Sequence, residues 1–274
     1  MSERCLLKSL MLVVGLSLLA TVTHAAGKCE RLVATGNPEY PPYLWRDPQN
    51  PKQLIGANAD LLKHLADELG VAIDVIYSGP WSRAQEEVRT GRVDLLAGAF
   101  LTLPRLEYMD YVHPAFFYTP SVVWVRKGEA FPYTGWDDLR GLTGDTLVNN
   151  SFGQRFDAFA KSNLTLEGVS SLNQAFQKLM LKRTDYVLYE RYPGLALAES
   201  LGMKDGLEIL DPPISSEGLY LTLSHNSACN DPWLRGQLAK KMTELFDAGL
   251  PDVWLQRNLE RWKAQQQPAT LPTQ

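Results

Sequence analysis

Two side chains in this chain are placed to hold opposite charges. Arg105 ends the stretch Ala97-Gly98-Ala99-Phe100-Leu101-Thr102-Leu103-Pro104-Arg105, just past an apolar run at 93–97 that reads as a buried strand. A guanidinium there can grip a carboxylate through two parallel hydrogen bonds. Position alone also fits a surface arginine paired with Glu107 or Asp110. Glu190 follows a second strand-like run at 185–189, where a carboxylate can take an ammonium group; alone, it also fits a solvated charge. Asn150-Ser151-Phe152-Gly153 joins a strand to a helix. A helix N-terminus offers an anion free N–H groups and positive potential, with the Ser151 hydroxyl as a further donor or as a plain N-cap. The loop Asn37-Pro38-Glu39-Tyr40-Pro41-Pro42-Tyr43-Leu44-Trp45 carries aromatics that either wall a site or pin the loop to the core. Tyr40 fits both roles; Trp45 fits the second better.

Other chemistries lack their motifs. No GxSxG, HExxH, CxxC or P-loop pattern occurs, and His64, His113 and His225 have no partner at ligand spacing. No catalytic residue, metal site or cofactor is expected. With 45% hydrophobic and 21% charged residues the composition is globular, and 27 Lys plus Arg against 31 Asp plus Glu leave no basic excess for nucleic acid.

The elements that must position these residues alternate between strand and helix. At the N-terminus Arg4 and Lys8 precede an apolar run over 10–20, then Thr23-His24-Ala25-Ala26. Eleven residues of helix rise about 16 Å, too short to span a bilayer, so this reads as a cleavable signal peptide, residues 1–25. Its removal leaves Cys29 and Cys229. In an exported compartment two thiols usually pair, and the sequence leaves that pairing open.

Beyond it a strand at 31–35, a helix at 59–69 that Asn58 can cap, β-rich 71–77, a short helix opened by Ser82-x-x-Gln85 and the strand at 93–97 form a βαβαβ order, which requires a parallel sheet with crossover helices. The pattern restarts near Ser121: extended 122–126, strand 145–149, helix 153–161, a helix capped by Ser171-x-x-Gln174, strand 185–189, helix 192–201, strand 207–210 and extended 218–223. Helices over 234–246 and from Pro251 to Trp262 close the chain, ahead of a polar tail. Two α/β halves joined by two extended segments imply two lobes with a cleft between them. In such sheets ligands bind beyond the carboxyl ends of the strands, where Arg105 and Glu190 lie.

Taken in order, Gly36-Asn37-Pro38-Glu39-Tyr40-Pro41-Pro42-Tyr43, Ile55-Gly56-Ala57-Asn58-Ala59-Asp60-Leu61, Thr90-Gly91-Arg92-Val93-Asp94-Leu95, Arg105-Leu106-Glu107-Tyr108-Met109-Asp110-Tyr111 and Asp247-Ala248-Gly249 resemble the bacterial periplasmic solute-binding proteins of the amino-acid-binding type, family 3 with the type II fold. The resemblance runs from about Leu32 to Trp262. It implies an α/β fold of two lobes, each a mostly parallel sheet flanked by helices, joined by two hinge strands: 26–121 with 219–264 as the first lobe, 122–218 as the second, and 265–274 as a flexible tail.

It also implies roles. Arg105 matches the arginine that grips the ligand's α-carboxylate, and Glu190 the carboxylate, usually Asp, that holds its α-ammonium. Tyr40 matches an aromatic covering the ligand, and Ser151 a hydroxyl near the carboxylate. Gly98 belongs to the loop that carries the arginine. Departures from the family pattern are Phe100 and Phe152, where hydroxyl residues are common, and Asn37, where binders of basic amino acids carry Asp. These favour a flatter or more apolar ligand than Lys or Arg. Trp81 adds an aromatic to the cleft or simply begins its helix.

The resulting expectation is a monomeric periplasmic receptor that hands an amino-acid-like solute to the permease of an inner-membrane ABC-type transporter. Two alternatives stand beside it: a periplasmic dehydratase acting on a carboxylated ring, with Glu190 as acid or base, and an accessory protein for a membrane sensor.

Overall fold

The computed structural model describes residues 29–266; the expected signal peptide and the residues after Gln266 lie outside that range. In chain order come β1 (Arg31–Thr35), β2 (Glu39–Tyr40), β3 (Leu44–Arg46), β4 (Leu54–Ile55), α1 (Ala57–Leu69), β5 (Ala72–Val75), α2 (Trp81–Arg89), β6 (Leu95–Phe100) and the short α3 (Leu103–Leu106). An 18-residue strand, β7 (Met109–Arg126), leads into β8 (Thr143–Leu147), α4 (Gln154–Asn163), β9 (Thr165–Val169), α5 (Leu172–Met180), β10 (Tyr186–Glu190) and α6 (Arg191–Ser200). A second 18-residue strand, β11 (Leu207–Ser224), returns to α7 (Pro232–Asp247) and α8 (Leu250–Gln266). The last helix thus continues two residues into the expected tail.

One eight-stranded sheet, in the order β5-β1-β6-β11-β7-β10-β8-β9, runs through both lobes, and β2, β3 and β4 form a separate small sheet. β1 pairs in parallel with β5 and β6, as crossover helices α1 and α2 require, and β8 pairs in parallel with β9 and β10. The long antiparallel pair β7 and β11 connects the halves. β6 pairs with β11 over Leu219–Leu223, while β10 pairs with β7 over Ser121–Trp124.

Local sequence explains the helices and corrects two caps. α1 buries Leu61, Leu62 and Leu65, and Gly70 ends it in the left-handed region at φ 65°. Its N-cap is Gly56; Asn58 lies inside the first turn, where its buried amide donates to the Ala97 carbonyl at 2.6 Å. α2 begins at Trp81 with Pro80 as N-cap, so Ser82 is an interior residue and caps nothing. The fixed φ of proline starts that helix early. Ser171 does cap α5, its hydroxyl accepting from the Gln174 N–H at 3.2 Å. Cys29 and Cys229 are joined by a disulfide, Cα atoms 5.5 Å apart, tying the strand entering β1 to the turn before α7.

Candidate functional site

Seven of the nine sequence-selected residues, Asn37, Tyr40, Trp81, Gly98, Phe100, Arg105 and Glu190, line one cavity at the seam between the lobes, together with Asn150. The lobes are closed on it, leaving about 20 Å³, room for about one water molecule.

Arg105 lies in α3, and its side chain turns inward to 5% exposure. Nη1 donates to the Phe100 carbonyl at 3.0 Å, and Nη2 to Gln85 Oε1 and to the Asn149 carbonyl, both at 3.2 Å. The guanidinium carbon lies 5.5 Å from the centre of the Trp81 ring. A surface pair with Glu107 or Asp110 does not form. Glu190 ends β10 and is buried at 3% exposure, not a solvated charge. Its Oε2 has no hydrogen-bond partner. Burial raises its pKa to about 7, against the opposing pull of its own backbone N–H, of Arg105 and of the Asn150 side chain.

The walls are positioned by packing and short bonds. Tyr40 stacks at a tilt against Tyr43, 5.2 Å between centroids, and meets Tyr189 edge-on at 6.3 Å. Asn37 Nδ2 donates to the Tyr189 hydroxyl at 3.0 Å, which donates in turn to the Glu39 carbonyl at 2.8 Å. Trp81 Nε1 is a buried donor without a partner, and the buried Asn150 amide sits beside the Glu190 carboxylate, whose charged form it favours. Gly98 adopts φ 119°, and a Cβ there would fall 2.9 Å from Asn58 Nδ2 and 3.1 Å from Leu219 Cγ. Only glycine fits this bend of β6. Phe100 is buried at the strand's end, its carbonyl shared between Arg105 and the Tyr111 hydroxyl.

Ser151 and Phe152 do not line this cavity. The Ser151 hydroxyl donates to the Asp157 carboxylate, and the Phe152 N–H donates to Asp157 Oδ1 at 2.9 Å. Asp157, in the first turn of α4, is therefore the anion that this helix terminus holds. The Phe152 ring packs edge-on against Phe156 in the core of the second lobe, 5.7 Å between centroids.

Sequence reading missed the residues that join the lobes. Gln85 Nε2 donates to the Asn149 carbonyl at 3.1 Å, the Leu103 N–H to Gln154 Oε1 at 3.0 Å, and the Leu172 N–H, at the start of α5, to Glu39 Oε2 at 2.9 Å. Burial raises the Glu39 pKa, while the Leu172 bond opposes it. Gln85 looked like half of a capping box, which hid its other use.

A larger cavity of about 550 Å³ lies between β7, α6 and α8, lined by Phe116, Phe117, Tyr192, Leu255, Leu259 and Trp262 among others. It is roomier but gathers no buried pair of opposite charges, so chemistry favours the smaller cavity. Among the described residues no group of three or more His, Cys, Asp or Glu is placed to hold a metal ion, and no helix is long and apolar enough to cross a membrane.

Residues 32–195 match the family of bacterial extracellular solute-binding proteins, family 3. No curated protein sequence matches the chain significantly. Among solved structures, a mutant of ArgBP from T. maritima superposes with a TM-score of 0.69 at 20% identity, over 86% of this chain and 96% of that one. A histidine kinase sensor domain with similarity to periplasmic binding proteins gives 0.71 at 19%, over 85% and 97%. The amino acid ABC transporter substrate-binding protein AbpA from Streptococcus pneumoniae, bound to L-arginine, gives 0.69 at 18%, over 85% and 96%. These likenesses share the two-lobed α/β fold of periplasmic binding proteins. With more than half of its length matched, this chain belongs to the bacterial extracellular solute-binding proteins of family 3.

Proposed function

We propose that this solute-binding protein takes a small zwitterion, an α-amino acid or a close relative, between its lobes and presents it to the permease of an inner-membrane transporter. The observation that carries the reading is the burial of a guanidinium, Arg105, and a carboxylate, Glu190, on one cavity at the lobe seam. Arg105 would grip the ligand carboxylate and Glu190 its ammonium group, with Tyr40, Trp81 and Phe100 enclosing the rest; Asn37 in place of an acid favours a side chain without a positive charge. ArgBP and AbpA have structures bound to arginine, and an ancestral arginine-binding protein has one bound to glutamine, which supports the amino-acid class.

The lobes in this reading are 26–121 with 219–264, and 122–218, hinged through β7 and β11. Only the closed form makes both sets of contacts, so a ligand shifts the open–closed equilibrium by its difference in affinity for the two. Export by the 1–25 signal peptide would place the protein in the periplasm as a monomer. Native mass spectrometry of protein purified from its host tests the reading: a co-purified α-amino acid, lost in Arg105→Ala, is the expected result. Unchanged binding in that variant overturns the site.

A buried carboxylate with a pKa near 7 beside an arginine is also the form of a general acid. This keeps a second reading, a dehydratase acting on carboxylated rings. Incubation with prephenate-like acids separates the two, since a receptor returns its ligand unchanged. The likeness to a histidine kinase sensor domain favours a third destination for the same closed form, a membrane sensor.

A further inference from the structure

The larger cavity, about 550 Å³ between β7, α6 and α8, takes no part in the solute binding proposed above, yet it is built like a ligand site. Twelve of its sixteen lining residues are apolar or aromatic, and seven of those are aromatic. Its volume falls in the range of clefts that enclose a small organic molecule, roughly 300–1,000 Å³. Tyr118, Tyr192 and Phe246 line it while 66%, 50% and 48% exposed. Large rings left in water around one apolar hollow mark a binding surface.

The charged side chains of the wall select the sign of an occupant. They are two acids, Glu199 and Asp252, and one base, Lys263. Lys263 Nζ is held by Glu260 at 2.9 Å, and Glu199 is held by Lys204 at 3.3 Å. Asp252 is exposed, and its side chain forms no hydrogen bond or ion pair with the described residues. One uncancelled carboxylate among aromatic rings suits a cation, which the carboxylate attracts and the ring faces hold by cation–π contact. An anion would meet repulsion from both.

The cavity is shared between the lobes. α6 brings Tyr192 and Leu195 from the second lobe, while α8 and the 116–118 stretch of β7 belong to the first. The two cavities also share an aromatic wall: Tyr40, on the solute cavity, lies 5.2 Å from Tyr43 between ring centroids, and Tyr43 lies 5.0 Å from Phe117. A molecule that fills the larger cavity touches both lobes in the closed form. If opening widens the cavity, the occupant loses one wall; if opening narrows it, the occupant is expelled. Either way the closed form binds it best.

We propose that this cavity is a second binding site, for an organic cation with an aromatic or alicyclic body, and that its occupant favours lobe closure. The site stands on the cavity alone; the coupling rests on the lobe closure of the proposed function. Solute and cation then help each other to bind, by the same factor in both directions.

The test uses two fluorescent aromatic probes of opposite charge, the cation berberine and the anion 8-anilinonaphthalene-1-sulfonate. The parent protein should bind berberine more tightly. Leu259→Arg, which puts a cationic side chain into the cavity wall, should abolish berberine binding. Asp252→Lys, at an exposed position that keeps the fold if Leu259→Arg does not, should weaken it about tenfold, the scale of turning one exposed attraction into a repulsion. Berberine binding that neither variant changes overturns the site, and so does tighter binding of the sulfonate by the parent. A dimer of the parent that Leu259→Arg dissolves makes a second copy of the chain the occupant and also overturns it.

The coupling is read by electron–electron double resonance, with nitroxides on cysteines placed at the exposed positions Lys63 in α1 and Lys161 in α4. Berberine alone should raise the closed fraction about fivefold or more, and calorimetry should show L-glutamine binding tightened by a like factor. Bound berberine with an unchanged distance distribution overturns the coupling. Closure by berberine in a protein that does not bind L-glutamine upholds this site and overturns the amino-acid reading instead.

Discussion

Replacing Glu190 by Gln should separate stability from binding, because burial and ligand chemistry act on this side chain in opposite directions. Its pKa is raised from 4.5 to about 7, chiefly by burial. The folded state therefore keeps its proton to higher pH than the unfolded chain. Between those values the folded state binds more protons, so stability falls as pH rises and reaches its lower plateau above about 7. At about 1.36 kcal/mol per pH unit, ionised Glu190 costs the fold about 3 kcal/mol at pH 8. The amide that replaces the carboxyl group does not ionise, so Glu190→Gln should gain about 2–3 kcal/mol at pH 8 and about nothing at pH 4. In a chain of this size that is a rise in Tm of roughly 5–10 °C.

Binding should move the other way. An ammonium group held by an ionised carboxylate loses a charge-assisted bond, and affinity at pH 8 should fall about 10- to 100-fold. The parent protein's affinity for a zwitterion should drop about tenfold per pH unit below about 7, since the ligand must displace the proton; the variant should be flat. Thermal unfolding and calorimetry from pH 4 to 8 measure both. A variant less stable than the parent at pH 8, or one that keeps the parent's pH-dependent affinity, refutes the reasoning.

Three further variants address the frame around the site. Gly98→Ala forces a left-handed φ and close contacts with Asn58 and Leu219, so urea midpoints should report a loss of about 1–3 kcal/mol. Replacing Cys29 and Cys229 together by Ser opens a link across a sequence separation of 200 residues and should cost about 2–4 kcal/mol, read by thermal unfolding against the parent. Ser171→Ala removes the α5 cap and should cost about 1 kcal/mol by urea unfolding, with ligand affinity unchanged.

Local patterns in the sequence were enough for the helices and parallel strands, because periodic leucines such as Leu61, Leu62 and Leu65 act within one element. The two long strands were visible only as fragments. Pro114 and Pro120 in β7, and Pro212 and Pro213 in β11, interrupt runs that otherwise read as extended, and proline argues against a central strand. β9 also escaped, since its alternating, mostly exposed edge residues and Gly168 give a weak strand signal. The small sheet of β2, β3 and β4 has strands of only two or three residues, too short for periodicity to register.

At the site, the contrast between Arg105 and the α4 terminus shows what residue type alone leaves undecided. Both are anion sites in principle, and both follow strand ends. What separates them is where the nearest anion of the chain itself lies. Asp157, six residues after Ser151 and in the first turn of α4, reaches back to the Ser151 hydroxyl and the Phe152 N–H, so that terminus is neutralised by a covalently attached carboxylate at high effective concentration. An acid in a first helical turn is visible in sequence and was the available warning. Arg105 has no such partner. Its neighbours Glu107 and Asp110 do not reach it, and its acceptors are the neutral oxygens of Phe100, Gln85 and Asn149. A buried guanidinium satisfied only by neutral groups keeps its full charge for an anion from outside, whereas one already paired with a carboxylate would not.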